Sequence, residues 1–191
     1  MTTKQESQES KDLIQVISPD GTQVNDLPAG VGDDDLLDLY TWMVKVRTFD
    51  TRMVNLQRQG RIAFYGPTTG QEAVGVASGR AMGPGDWVLP ALREQVIALM
   101  RGLPVSDYIA QLIGNENDLC KGRQMPCHPT WSQGHYVSMS SCIASQVPHA
   151  VGVAIAMKIK KRKAACLGFL GDGATSEGDF HVAMNFAGVF A

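Results

Sequence analysis

The chain has 191 residues, of which 44% are hydrophobic and 19% are charged, the composition of an ordinary globular protein. Seventeen Lys and Arg residues against 19 Asp and Glu residues give a formal net charge of -2, which favours neither nucleic acid nor an anionic membrane as a partner. No stretch approaches the ~18 continuous apolar residues of a membrane helix, and the polar start is unlike a secretory signal. The four scattered cysteines favour a reducing cytoplasm over a disulfide framework.

The first 32 residues predict a disordered or extended arm. Residues 1–12 are polar, and residues 13–32 combine a short apolar run with Pro and Gly turn signals. The first strong helix is predicted to begin at Asp33, where consecutive aspartates lie at the positive end of the helix dipole, and to end at Gly60. A second helix over residues 70–82 has the Ala, Gly and Val composition of a closely packed, buried helix.

The rest of the chain alternates predicted strands and helices around one long loop. The predicted strands are 86–90 and 164–170, the second buried on both faces; the predicted helices are 92–101, 105–113, 144–162 and 177–190; the loop is 114–141. This alternation predicts an α/β fold, a parallel sheet with helices on both faces. Because the sheet is unfinished at Ala191, we expect residues 33–191 to be the N-terminal part of a longer, truncated domain. Expressed alone, such a fragment is expected to be poorly soluble and inactive.

The sharpest chemical signal is a strand–turn–helix at Gly171-Asp172-Gly173. Open α/β sheets place ligands at the carboxyl ends of their strands, and glycines let the backbone approach a bulky ligand. The helix that follows presents free N–H groups to phosphate, and Asp172 is suited to Mg²⁺. A plain strand-to-helix turn is the alternative. A dinucleotide-binding turn is disfavoured, because Ser176 stands where that fingerprint needs a third glycine.

The sequence around this turn resembles the thiamine-diphosphate motif of the α subunits of 2-oxo acid dehydrogenases, the decarboxylating first components of the pyruvate and branched-chain complexes. The motif is GDGATSEGDF, from Gly171 to Phe180, followed by MNFA at 184–187. Further segments match in the family's order: 57–62, 64–65, 70–73, 122–126 with His128, and 140–152. The likeness covers roughly residues 35–191, and several ordered matches make coincidence an inadequate explanation.

The resemblance implies a thiamine-diphosphate-binding fold and a role for each matching residue. Asp172 would bind Mg²⁺, and Arg93 would clamp the diphosphate with its planar, permanently charged group. The other implied cofactor-site residues are Leu92, Ser141, Ile143, Gly171, Gly173 and Ala174. A structural K⁺ ion would be held at Ser140, Cys142, Ser145 and Gln146. The implied catalytic residues at the substrate end are Phe64, Tyr65 and His128.

Two departures from the family pattern bear on the cofactor site. The family commonly has Tyr before the diphosphate-binding Arg, and here that position is Leu92, so one phosphate hydrogen bond is lost or supplied elsewhere. The family motif also closes with an Asn pair roughly thirty residues after the Gly-Asp-Gly turn, which falls beyond Ala191. A second Mg²⁺ ligand is therefore not within this sequence.

The resemblance implies oxidative decarboxylation of a 2-oxo acid, with acyl transfer to a lipoyl group on the lipoyl domain of the acyltransferase component. It also implies a β subunit as partner in an α2β2 heterotetramer. The segments 122–126 with His128, 140–149 and 176–179 favour branched-chain substrates of the 3-methyl-2-oxobutanoate type, while 64–68 is also similar to pyruvate enzymes. A pyruvate dehydrogenase α subunit is thus the main alternative. An NAD-binding oxidoreductase and a non-catalytic truncated paralogue are alternatives of another class.

Overall fold

A computed structural model of the chain describes residues 14–190. The helices are α1 (Asp33–Arg58), α2 (Glu72–Ala81), α3 (Gln95–Met100), α4 (Val105–Ile113), α5 (Gln146–Ile159) and α6 (Gly178–Phe190). The strands are β1 (Trp87–Leu89) and β2 (Cys166–Gly168), and 3-10 turns occupy Ser132–Gly134 and Asp172–Ser176. By internal contacts the chain forms one unit that ends at Asp38 and another that begins at Leu39. No helix within residues 14–190 has the length and hydropathy required to span a bilayer.

Residues 14–32 contain a tight turn and an isolated antiparallel bridge between Ile17 and Gln23. The turn is closed by the Ser18 amide, which donates to the Thr22 carbonyl at 2.9 Å. Hydrogen bonds from Ser18, and then from Thr22, lower the pKa of Asp20 to about 2. The predicted disorder of residues 1–12 lies outside the described residues.

The two strands form a small parallel sheet, compatible with the predicted α/β class. Trp87 pairs with Cys166 and Leu89 pairs with Gly168. On the other side of β1, Val88 forms a parallel bridge with Tyr136, which belongs to the long loop. Because the strands are parallel, their carboxyl ends meet at the same edge of the sheet.

The prediction of a seven-residue strand buried on both faces at 164–170 is wrong for the described structure. Strand β2 covers Cys166–Gly168 only, its residues are half-buried, and Leu170 is exposed. Within residues 14–190, β2 pairs with β1 alone. Helix α5 packs on one face, where a Cβ on Gly168 would lie 3.2 Å from the Ala150 Cβ. An apolar run predicts burial only where neighbours exist on both sides.

Asp86 joins the start of β1 to the start of β2. Its carboxylate accepts hydrogen bonds from the amides of Ala165 and Gly83, each at 2.7 Å. The bond from Ala165 is the main reason that the pKa of Asp86 is lowered. Arg101 donates to the Asp86 carbonyl at 2.9 Å, so the strand starts are fixed from two sides.

The main core lies among α1, α2, α3, α4 and the long loop. Helices α2 and α3 approach closely at two glycines, as the composition of residues 70–82 predicted. The predicted burial of α2 is limited to one face, and Val74 is exposed. A Cβ on Gly75 would lie 2.6 Å from the Val96 side chain, and one on Gly79 would lie 2.9 Å from the Met100 sulfur. A smaller cluster joins α5 to α6 through Ala144, Val147, Ala174 and Ala183.

The long loop 114–141 is folded against the sheet and stabilised from within. The buried carboxylate of Asp118 accepts hydrogen bonds from the amides of Cys120 at 2.9 Å and Gly122 at 2.7 Å. The His135 ring stacks on the Trp87 ring, with centroids 5.0 Å apart. The stacking contact places the part of the loop near His135 beside the start of β1.

Candidate functional site

A cleft of about 460 Å³ lies at the carboxyl ends of β1 and β2. Its walls come from stretches that are far apart in the sequence. The lining residues are Phe64, Ala91, Leu92, Met125, His128, Ser140, Ser141, Cys142, Ile143, Ala144, Gln146, Gly171, Gly173 and Ala174. The fold thus brings most of the sequence-predicted site residues around one concave surface. The described lining excludes Tyr65, Arg93, Ser145 and Asp172.

The glycine turn leaves space in the cleft that no protein atom fills. Gly171 has φ -84°, and Gly173 is outside the left-handed region, so neither glycine is required by its backbone conformation. A Cβ on either residue would meet no heavy atom within 4 Å. Packing therefore does not explain these glycines, whereas a ligand lying against their backbone would.

Asp172 begins the 3-10 turn beside this space and is exposed. Its carbonyl accepts a hydrogen bond from the Thr175 hydroxyl at 2.6 Å, which closes the turn. Among residues 14–190, no group of three or more His, Cys, Asp and Glu side chains is arranged to hold a metal ion. Asp172 therefore offers a single carboxylate to a cation whose other ligands would come from elsewhere.

Oxygen atoms converge in the loop that leads into α5. The Ser145 hydroxyl lies 3.2 Å from the Ser140 hydroxyl and donates to the Cys142 carbonyl at 2.8 Å. The Gln146 side-chain amide donates to the Phe169 carbonyl at 2.6 Å, which ties this loop to the end of β2. Oxygen atoms of this kind are the ligands that hard cations prefer.

His128 has partners on both ring nitrogens and is 2% exposed. Nδ1 lies 2.9 Å from the Pro126 carbonyl, which only accepts, so Nδ1 carries a proton and donates. The Ser141 hydroxyl lies 2.5 Å from Nε2 and, with the ring neutral, donates to it. The structure thereby joins a residue predicted at the substrate end to one predicted at the cofactor.

The end of the cleft near His128 has an apolar wall. The rings of Phe64 and His128 have centroids 6.5 Å apart. Leu92, Met125 and Ile143 contribute aliphatic and thioether surface to the same cleft. Such a wall suits an apolar group of a ligand, and His128 and Ser141 add polar atoms to the same cleft.

Tyr65 does not lie in the cleft beside Phe64, where the resemblance placed it. The side chain is 3% exposed, and its hydroxyl donates to the Asp50 carboxylate at 2.5 Å. Burial, and then Asp50, raise the pKa of Tyr65. In this structure the Tyr65 hydroxyl is bonded to helix α1, and its predicted contact with substrate stays a prediction.

Arg93 lies in the turn that precedes α3, which begins three residues later than a helix over 92–101 would. Its Nη1 donates to the Pro67 carbonyl. The Glu94 carboxylate accepts hydrogen bonds from the amides of Ala91 at 2.9 Å and Arg93 at 3.1 Å, and burial raises the pKa of Glu94. The turn is thus held so that Leu92 lines the cleft, with the Arg93 guanidinium resting on the neighbouring loop.

Two left-handed residues other than glycine occur in the segments that line the cleft. Cys127 has φ 65° and precedes His128, and Ala144 has φ 67° and precedes α5. Both are fully buried, and each such conformation costs about 1–3 kcal/mol. The Gly66 amide donates to the Cys127 sulfur at 3.4 Å, and burial raises the pKa of this thiol. Strained backbone maintained by packing is typical of functional segments.

Sequence reasoning missed several lining residues and one neighbouring carboxylate. Ala91, Met125 and Ala144 line the cleft. Met125 lies within the matched segment 122–126, and that position was the available signal. Asp50 gave no signal, because an acidic residue in a long helix usually faces solvent.

Comparison with known proteins gives the family. The family model described as dehydrogenase E1 component matches residues 40–191. The chain belongs to this family. It is 44% identical over 151 residues to the 2-oxoisovalerate dehydrogenase subunit alpha 1 of Arabidopsis thaliana, which covers 79% of this chain and 32% of that protein.

Other relatives of the E1 component show the same relationship. Identity to the 2-oxoisovalerate dehydrogenase subunit alpha of Pseudomonas aeruginosa is 38% over 178 residues, or 93% of this chain and 43% of that protein. Identity to the mitochondrial human protein of that name is 41% over 152 residues, or 80% and 34%. This chain therefore spans less than half the length of these curated relatives.

Proposed function

We propose that this chain is part of the α subunit of a thiamine-diphosphate-dependent dehydrogenase that decarboxylates branched-chain 2-oxo acids and transfers the acyl group to lipoyl groups. The observation that carries the proposal is the convergence of the residues implied by the resemblance around one cleft at the strand ends. The names of the relatives support the same activity. We also propose that the complete protein has the thiamine-diphosphate-binding fold.

The residues of the cleft fit a diphosphate ester with an aromatic ring. The open backbone at Gly171 and Gly173 provides space and amide groups for the diphosphate. Arg93 lies one residue from the lining residue Leu92. With Nη1 on the Pro67 carbonyl, it would turn the remaining N–H donors of its guanidinium to the phosphate oxygens. The apolar side chain of Ile143 suits contact with a ring. When bound, thiamine diphosphate supplies the stabilisation of negative charge that decarboxylation requires.

His128 and Ser141 would manage protons at the substrate end. Because the Pro126 carbonyl holds the proton on Nδ1, the lone pair of His128 is on Nε2, at the cleft surface. Ser141 occupies that lone pair and would turn its hydroxyl to the cofactor or substrate when either binds. His128 could then accept a proton or a hydrogen bond from the substrate at Nε2.

The apolar wall supports a branched aliphatic substrate. Phe64 and Met125 present no hydrogen-bonding group except the weak thioether acceptor of Met125. Each additional buried methylene stabilises binding by about 0.8 kcal/mol, so this wall favours 3-methyl-2-oxobutanoate over pyruvate. Pyruvate dehydrogenase activity is the alternative that a substrate comparison must separate.

Mg²⁺ and K⁺ complete the proposed site. Asp172 would contribute one carboxylate oxygen to Mg²⁺, with phosphate oxygens among the other ligands. We propose that K⁺ is held by Ser140, Cys142 and Ser145, whose hydroxyl and carbonyl oxygens lie together before α5, with the adjoining Gln146. This ion would stabilise the loop that carries Ser141.

The proposed partners follow from the relatives' description as subunits alpha. We propose a β subunit that completes the active site in an α2β2 heterotetramer, and a lipoyl domain that receives the acyl group. The cytoplasm is our proposed compartment, from the cysteine pattern, whereas the plant and human relatives are named mitochondrial. Cell fractionation would test this compartment.

The function is tested with the full-length α subunit co-expressed with the β subunit from the same genome. Decarboxylation of 3-methyl-2-oxobutanoate that requires thiamine diphosphate and Mg²⁺, with a higher kcat/KM than pyruvate, is the expected result. Preference for pyruvate would reject the substrate assignment. Cofactor binding without turnover of any 2-oxo acid would favour a non-catalytic paralogue.

A further inference from the structure

The loop over residues 64–70 contributes to the cleft although it has no regular secondary structure. Phe64 at its start lines the cleft, and the Pro67 carbonyl in its middle accepts the hydrogen bond from Arg93. The positions of an apolar wall residue and of the proposed diphosphate clamp therefore both depend on this loop. Side-chain contacts, and not a helix or strand, must set its conformation.

Asp50 of helix α1 contacts both halves of this loop. It is 1% exposed, and its Oδ1 accepts the Tyr65 hydroxyl at 2.5 Å. Its Oδ2 accepts the Thr69 hydroxyl at 3.2 Å, and the amides of Thr68 and Thr69 also stabilise the carboxylate. Burial raises the pKa of Asp50, and these hydrogen bonds offset part of that effect. A buried carboxylate with this set of donors leaves the loop little freedom.

Other contacts limit the loop at separate points and leave Asp50 as the connection between its ends. The buried Gln95 side chain donates to the Gly66 carbonyl at 3.0 Å. Glu72 accepts from the Gly70 amide at 2.8 Å and pairs with Arg47, which precedes Asp50 on the same helix. Of these groups, Asp50 alone is bonded to residues on both sides of Pro67.

We propose that Asp50, acting through Tyr65 and Thr69, is a positioning residue that sets Phe64 and Arg93 for binding of substrate and cofactor. The inference rests on the proposed function and adds a residue outside the cleft to its machinery. It also gives Tyr65 a positioning role in place of the predicted contact with substrate.

A merely structural role for the Asp50–Tyr65 pair makes a different prediction. In that case, disrupting the pair lowers the melting temperature and leaves the affinity of the folded enzyme for its ligands unchanged. Positioning instead requires that folded variants bind thiamine diphosphate and the 2-oxo acid more weakly. KM should then rise by a much larger factor than kcat falls. Affinity and KM measured on folded protein therefore separate the two roles.

The experiment uses the full-length α subunit with its β subunit and compares Asp50→Asn, Tyr65→Phe, the double variant and Thr69→Val. Asp50→Asn replaces one carboxylate oxygen by an NH₂ group, which cannot accept the hydrogen bond that the oxygen now accepts. Thr69→Val is a nearly isosteric substitution that removes the Thr69 hydroxyl donor. Because Thr69 is exposed, we expect this variant to fold even if the buried variants do not. Asp38→Asn is the matched control, the same change at an exposed position of the same helix.

We expect Tyr65→Phe and Asp50→Asn to raise the Kd of thiamine diphosphate and the KM of the 2-oxo acid by about tenfold, the scale of one buried hydrogen bond. We expect the Kd and KM of the double variant to be no higher than those of the single variant that binds more weakly, because the two residues act as a unit. Thr69→Val should raise both constants by about threefold, and Asp38→Asn should leave them unchanged.

The inference is overturned if Tyr65→Phe and Asp50→Asn melt cooperatively with Kd and KM within twofold of the wild type. Additive effects in the double variant would equally overturn it. If neither buried variant folds, an unchanged Kd in Thr69→Val would reject it. Failure of the wild-type complex to bind thiamine diphosphate would instead reject the proposed function.

Discussion

The Ser141 hydroxyl lies 2.5 Å from Nε2 of His128, while Nδ1 of the same ring lies 2.9 Å from the Pro126 carbonyl. The two contacts assign different tasks to the two nitrogens: Nδ1 positions the ring, and Nε2 presents a lone pair at the cleft surface. The hydrogen bond therefore joins a residue predicted at the substrate end to one predicted at the cofactor site.

Substitution of His128 by the two amides tests which nitrogen serves the reaction. Glutamine reaches the position of Nε2 and asparagine that of Nδ1, so we expect His128→Gln to retain more activity than His128→Asn. Loss of a group that accepts a proton in the reaction costs about 10²–10⁴-fold. Steady-state kcat/KM of the full-length complex provides the measurement. Equal losses in the two variants would show that Nε2 has no special role.

The departure at Leu92 makes a prediction about cofactor affinity. Leu92→Tyr restores the hydroxyl that the family commonly places beside the diphosphate-binding Arg, and it should tighten thiamine-diphosphate binding by about 0.5–1.5 kcal/mol. Leu92→Phe supplies the ring without the hydroxyl and serves as the control. Calorimetric titration of both variants gives the comparison. If Phe tightens binding as much as Tyr, the gain comes from ring contact and not from a phosphate hydrogen bond.

Close packing of α2 on α3 predicts a large effect of a single methyl group. A Cβ on Gly75 would lie 2.6 Å from Val96, so Gly75→Ala should lower the free energy of unfolding by about 1–3 kcal/mol. Gly152→Ala, in α5, meets no atom within 4 Å and should be neutral or raise it by up to about 1 kcal/mol. Denaturant unfolding monitored by circular dichroism measures both. Equal stability of the two variants would contradict the described packing.

Arg93 should be needed for its geometry as well as for its charge. Arg93→Ala is expected to weaken thiamine-diphosphate binding by about 2–3 kcal/mol, the scale of a charge-assisted hydrogen-bond pair. Arg93→Lys should recover only part of this loss, because an ammonium group cannot reproduce the guanidinium fork. The Kd values of the three proteins decide the question. Complete recovery in the Lys variant would show that net charge is sufficient.

Local patterns predicted the helices well where the signals for both ends were strong. Residues 105–113 were predicted as a helix, and α4 has those bounds, because its apolar residues recur at helical spacing and Gly114 ends it with φ 72°. The strand predicted at 164–170 was too long, since apolar composition does not reveal how many neighbours cover a strand. The folded conformation of the long loop was not predictable, because it depends on pairing between Val88 and Tyr136, which are distant in sequence.

The candidate site was predictable where resemblance supplied residues and unpredictable where burial decided a role. Phe64, His128 and Gly173 were predicted and line one cleft. Tyr65 was assigned from the resemblance together with Phe64, and the structure buries its side chain against helix α1. Its partner Asp50 became visible only through the contacts of its carboxylate with Tyr65 and Thr69.

The central claim is that the space beside the glycine turn holds the diphosphate of the cofactor. Gly173→Val in the full-length complex tests it most directly, because Gly173 lines the cleft and a Cβ at this position would meet no protein atom within 4 Å. Gly188→Val, at an exposed position with equally open surroundings in α6, controls for loss of a glycine. Thermal unfolding should show an unchanged melting temperature in Gly173→Val. Calorimetric titration should show no measurable thiamine-diphosphate binding in Gly173→Val and normal binding in Gly188→Val. Binding of wild-type strength by folded Gly173→Val protein would contradict the account.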